Sequence, residues 1–178
     1  MSEGWPFMTD KMCTDVNNVL KSGKRYLKID TIKNLLNVFK KEKRVERRLS
    51  IALNMLNVYK KGKNLPGLLH YVAAKCYDQL NKTREGKKHL LQSLKLVRKS
   101  NLIFYKANEL LGDIAERKKR ITDMANYYSS AVNNYELHMN EPGIRRIARK
   151  LIEYYEEYGE RAESQGDYKG ASGSMTNM

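Results

Sequence analysis

Leu69-His70-Tyr71-Val72-Ala73-Ala74-Lys75-Cys76-Tyr77-Asp78-Gln79-Leu80 decides the fold class. Its apolar positions, Leu69, Val72, Ala73, Cys76, Tyr77 and Leu80, step by three, one, three, one and three. That spacing puts them on one stripe of an α-helix. The same rhythm returns on both sides, in Ile51, Ala52, Met55, Leu56 and Tyr59, in Leu90, Leu94 and Val97, and in Met124, Ala125, Tyr128, Val132 and Tyr135. No segment alternates apolar and polar residues as a strand would, and three prolines with eleven glycines disfavour a turn-rich β fold. Breaks fall at Asn64-Leu65-Pro66-Gly67, Asn81-Lys82-Thr83, Lys99-Ser100-Asn101 and Asn140-Glu141-Pro142-Gly143. They predict helices at 29–42, 44–61, 66–80, 84–99, 102–117, 120–139 and 143–164, with a short one near 13–22 ended by Gly23. Turns this short make consecutive helices antiparallel neighbours.

A shift of 38 residues superimposes three of these helix pairs. Leu36, Ala74 and Gly112 align, as do Phe39, Tyr77 and Ala115, then Ala52, Leu90 and Tyr128, then Leu56, Leu94 and Val132. A helix pair that cannot bury its apolar face alone completes its core by stacking on a copy of itself. Leu111-Gly112-Asp113-Ile114-Ala115 followed by Met124, Tyr128 and Ala131 resembles a unit of the tetratricopeptide repeat. Tyr155, Tyr158, Gly159 and Ala162, followed by Gly166-Asp167-Tyr168 and Ala171, resemble the opening of another. Ala73-Ala74, Tyr77, Leu80, Gly86 and Leu90 give a weaker copy. The resemblance spans about residues 29–171, with a period longer than the family's usual ~34. It implies an all-α, right-handed array of antiparallel helix pairs, about three and a half repeats long. In that reading residues 1–28 form an N-terminal segment, 29–164 the repeat domain, and 165–178 a flexible tail or truncated repeat. Glu153, Glu156, Glu157, Glu160 and Glu163 would supply the polar outer cap.

Composition narrows the function. The 178 residues carry 34 Lys and Arg against 20 Asp and Glu, a net charge of +14. The excess is uneven: +7 over residues 1–60, +10 over 61–120, and −3 over 121–178. Such a surface suggests an anionic partner: nucleic acid, an acidic protein segment or a membrane surface. Mean hydropathy is −0.69 and no apolar run approaches the ~20 residues of a membrane span, so none is expected. No signal peptide is visible, and Cys13 and Cys76 are too few for a disulfide framework, which points to a reducing, cytoplasmic compartment. Lys40-Lys41-Glu42-Lys43 resembles a short nuclear-localisation stretch.

Catalytic and metal motifs are missing. His70, His89 and His138 lie neither three nor four residues from one another or from a cysteine, and read as helix-surface or turn residues. No phosphate-cradling glycine loop or nucleophile elbow occurs. Cys76, on an apolar stripe, reads as a small core residue. No cofactor, no metal and no enzymatic activity are therefore expected.

What remains is binding surface. The family resemblance implies a groove lined by the first helix of each pair, here including Lys33, Asn37, Lys40 and Lys41, then Tyr71, Lys75 and Gln79, then Lys106, Glu109, Asp113 and Arg117. Some relatives clamp a peptide carboxylate with Lys and Asn. Lys33, Asn37 and Lys106 match three of the five clamp positions, while Val72 and Leu110 hold the others and cannot donate hydrogen bonds. A second surface gathers at the interhelix turns: Lys40, Lys41, Lys43, Arg44, Arg47 and Arg48, then Lys82, Arg84, Lys87 and Lys88, then Arg117, Lys118, Lys119 and Arg120. A shared register lines these turns into one basic edge. Of Tyr127-Tyr128 and Tyr154-Tyr155, one ring each is expected in the core. The expected function is a non-enzymatic adaptor or scaffold binding a partner peptide or acidic protein segment, with an RNA- or DNA-binding helical repeat as the alternative.

Overall fold

A computed structural model of the chain describes residues 28–60 and 62–164, together with Asp10, Thr14, Val16 and Asn18; side chains are described as far as Tyr158. The described residues contain no strand. They form α1 (Ile29–Lys41), α2 (Val45–Val58), α3 (Asn64–Gln79), α4 (Thr83–Leu96), α5 (Leu102–Arg117), α6 (Ile121–Val132), α7 (Tyr135–His138) and α8 (Ile144–Ser164). The helix expected at 13–22 lies mostly outside the described residues, although Thr14, Val16 and Asn18 are helical and Val16 is buried. The truncated repeat expected at 165–178 lies outside them altogether. Among the described residues no helix is long and apolar enough to cross a membrane.

The predicted helices are present with shifted ends, and two of the differences have a visible cause. The helix expected to reach residue 99 stops at Leu96, where Val97 turns to extended backbone and buries its side chain beside Gly67. The helix expected over 120–139 is two. Asn133 and Asn134 interrupt it, and the Asn134 Nδ2 donates to the Lys99 carbonyl at 2.7 Å, tying the break to the α4–α5 turn. Asparagine side chains bond nearby backbone in ways that compete with helix.

α3 is the central element. Leu68, Leu69, Val72, Ala73, Ala74 and Cys76 bury it nearly all round, against α2 on one side, α4 on another and α5 on a third. α3 pairs with α4, and α5 with α6, as two hairpins closed by the same turn 38 residues apart. In the first, the Asn81 and Lys82 N–H groups donate to the Asp78 and Tyr77 carbonyls at 3.0 and 2.8 Å. In the second, Lys119 and Arg120 donate to Glu116 and Ala115, both at 2.9 Å. Asn81 and Lys119 both take the left-handed conformation that closes such a turn, with φ of 60° and 57°.

α1 and α2 do not make a third such hairpin. Glu42 and Arg44 are extended, so no left-handed residue turns the chain. The two helices diverge, and α1 instead crosses α3 and α5, burying Ile32, Leu35, Leu36 and Phe39. Side-chain size accounts for this. A Cβ added to Gly86 would meet the Ala74 carbonyl oxygen at 3.0 Å, and one added to Gly112 would overlap the Tyr128 ring. In the 38-residue register Leu36 stands where Ala74 and Gly112 do, whereas the Gly86 position is held by Arg48 in the first pair and by Met124 in the closed third. Leucine's bulk at the first of these places excludes the close approach that the other hairpins use. One core cluster runs from Val16 and α1 through α3 and α5 to Ile147 and Leu151 of α8.

Candidate functional site

The crossing of α1 leaves a depression between it, α3 and α5, with Arg48 of α2 at its edge. Its floor is apolar: Leu36 and Phe39 from α1, Tyr71, Val72 and Cys76 from α3. Its rim is cationic, with Lys40, Arg48, Lys75 and Lys106 supplied by four different helices. Burial, then the positive charges of Lys40, Lys106 and Arg48, lower the Lys75 pKa, with Glu109 opposing them. Among the described residues neither Lys40 nor Lys75 is in a salt bridge. Arg48 is anchored through its guanidinium, which donates to the Glu42 carbonyl at 2.6 and 3.0 Å and to Gln79 Oε1 at 3.4 Å. Burial raises the Cys76 pKa, so this thiol stays protonated beneath the cations.

The residues chosen from sequence for the groove separate into three groups. Lys75 and Lys106 reach the depression, and Tyr71 contributes to its floor while being 7% exposed. Lys33 and Asn37 are exposed on α1, where Lys33 approaches Glu141 at 3.5 Å. Lys106 approaches the same carboxylate at 3.6 Å. The acidic α5 positions are occupied by α8: the Arg146 guanidinium donates to Glu109 and Asp113, each at 3.0 Å, and Lys150 pairs with Glu116. Tyr128, wholly buried, donates to Asp113 at 2.6 Å within that network. The acids of α5 are therefore engaged by α8, and among the described residues Lys106 alone of the depression's four cations has a salt-bridge partner, Glu141.

The basic turns do come together. Arg48 beside Gln79 joins the α1–α2 linker to the end of α3, and Arg117 Nη2 meets Asp78 Oδ1 at 2.5 Å, joining the ends of α3 and α5. Lys40, Lys41, Lys43, Arg44 and Arg47, then Lys82 and Arg84, then Lys118, Lys119 and Arg120 thus follow one edge, all exposed. Arg48 and Arg117 hold that edge together. Lys87 is half-buried and Lys88 exposed, both further along α4.

Three features escaped the sequence reading. His70 and His89, expected on the surface, are half-buried with their Nδ1 atoms 2.8 Å apart, and His89 stacks on Tyr77. The signal was available: once the α3–α4 turn is placed, these residues lie nearly equidistant from it, as do Gly67 and Ser93, which hydrogen-bond at 2.7 Å. His138 is 3% exposed with both ring nitrogens unpartnered, beside the equally unpartnered Tyr105 hydroxyl. The third is Glu141, which in the sequence is only part of a turn and in the structure meets Lys33 and Lys106. No group of three or more His, Cys, Asp or Glu residues that could hold a metal occurs among the described residues. No family model, curated protein or solved structure matches the chain.

Proposed function

We propose that this chain is a non-enzymatic, tetratricopeptide-like adaptor that binds an acidic segment of a partner protein in the depression between α1, α3 and α5. The observation that carries the reading is the convergence of Lys40, Arg48, Lys75 and Lys106 on an apolar floor, with Glu109 and Asp113 engaged by Arg146 of α8 and Glu141 paired with Lys106 alone of the four. Cations held close together with fewer counter-charges repel one another, and an incoming carboxylate relieves that repulsion. Leu36, Phe39 and Val72 offer apolar contact beside the charge, as interaction sites for amphipathic segments do. The repeated α3–α4 and α5–α6 turns support the helical-repeat part of the reading.

A fluorescein-labelled peptide alternating Glu and Leu tests it by anisotropy. Lys40→Gln with Lys75→Gln is expected to weaken binding by about tenfold, equivalent to about 1.4 kcal/mol. Lys118→Gln with Lys119→Gln, remote from the depression, should change it little. Equal losses in both variants would mean diffuse charge attraction and would overturn the groove reading.

A second reading rests on the joining of the three basic turns by the Arg48–Gln79 and Arg117–Asp78 contacts. A continuous basic edge could meet nucleic-acid phosphates. Affinity for a single-stranded oligonucleotide would then fall steeply with salt, and the Lys118 and Lys119 substitutions would flatten the slope. Absence of binding at low salt would end this reading.

A further inference from the structure

The α7–α8 turn places an acid on one of the cations that the depression presents, Lys106. Glu141 lies between Lys33 of α1 and Lys106 of α5, at 3.5 and 3.6 Å, its side chain 11% exposed. The turn behind it is held on both sides. The Glu141 N–H donates to the His138 carbonyl at 2.9 Å, and the Ile144 N–H donates to the Glu141 carbonyl at 3.1 Å. His138 is buried against Tyr105, their ring centroids 5.3 Å apart, and a Cβ at Gly143 would overlap Glu109. Glu141 thus reaches α1 from a turn about a hundred residues away in the chain.

We infer that Glu141 is an intramolecular competitor for the partner: its carboxylate occupies Lys106 at the rim of the depression and gives way when an acidic segment binds. The inference rests on the groove reading above, whose site it regulates. Lys106 is the residue common to the depression and to the Glu141 pairing, so the two carboxylates compete for one ammonium. The pairing is suited to release. Both separations exceed the ~2.7–2.9 Å of a charge-assisted hydrogen bond, and the Lys33 side chain is 47% exposed, so water screens it. A tethered group nevertheless acts at an effective concentration of roughly millimolar. Such a competitor excludes isolated carboxylates and weakly acidic segments, and yields to a segment carrying several acids. Glu109, the other acid near Lys106 and Tyr105, does not act this way because Arg146 holds it.

The test uses the full chain and the same labelled Glu-Leu peptide at constant salt. Glu141→Gln is expected to tighten binding by about five- to tenfold. Glu136→Gln removes the same charge from the exposed surface of α7 and is expected to leave affinity within about twofold. Equal tightening in both variants, or none in Glu141→Gln while the wild type binds, overturns the competitor and leaves the groove reading standing. Absence of binding in all three proteins overturns the groove reading and the competitor with it. Amide exchange gives an independent readout. Saturating peptide should speed exchange of the Glu141 and Ile144 amides in the wild type, and unchanged protection there, with peptide bound, overturns release of the turn.

Discussion

Gly112 illustrates what a single residue decides. It lies in α5 where the wholly buried Tyr128 ring of α6 presses on the helix backbone, and that ring cannot swing aside because its hydroxyl is bonded to Asp113. Gly112→Ala should therefore destabilise the chain by about 1–3 kcal/mol through overpacking, outweighing the better helix propensity of alanine. The midpoint of urea unfolding measures this, and an unchanged or higher midpoint would refute the packing argument. The histidines make a second residue-scale prediction. Burial lowers the pKa of His70, with His89 adding to it, and burial lowers those of His89 and His138. The unfolded chain, titrating near 6.5, then binds more protons than the folded one, so this stability is present above that pH and is lost as pH falls below it. The melting temperature should decline between pH 7 and pH 5, and His70→Gln with His89→Gln should make the decline shallower. A profile with the same slope in that variant would exclude these histidines as its source.

The two hairpin turns are the element-scale finding. Asn81 and Lys119 occupy equivalent places and adopt the same left-handed backbone, but they do so on unequal terms. Asparagine tolerates that region, whereas for lysine the clash of Cβ with the following carbonyl costs roughly 1–2 kcal/mol. Lys119→Gly should relieve the clash and, after the extra freedom glycine gives the unfolded chain, stabilise by about 0.5–1 kcal/mol. Asn81→Gly should gain less. Chemical denaturation of the two variants checks the order, and a loss in Lys119→Gly would show that the lysine side chain contributes at the turn. The apolar period made these hairpins legible, because Ala74, Gly86 and Gly112 are small where helices approach closely. The departure of α1 was less legible. Leu36 keeps the helical period that the register requires, and only its volume, judged against a partner surface, tells that the first pair cannot close.

Across the whole molecule, charge is where sequence and tertiary structure part. Period, breaks and turn chemistry are local properties, so the helical character of the described chain and the place of most helices are legible in its residues; the 38-residue register covers three pairs, of which α3–α4 and α5–α6 close alike and α1–α2 does not. The basic excess of the first two thirds is legible there too. Which of those charges are offset is not, since an ion pair depends on distances between residues far apart in the chain. Lys33 and Glu141, or Glu109 and Arg146, meet only once α1 crosses α5 and α8 packs beside it. Packing turns the acids of α5 toward α8, sets Glu141 between Lys33 on α1 and the groove's Lys106, and leaves Lys40, Arg48 and Lys75 around an apolar floor. Local sequence sets the helices because hydrogen bonds and side-chain stripes act within a few residues. The partner surface follows from the packing of the helices, because electrostatic compensation acts through space.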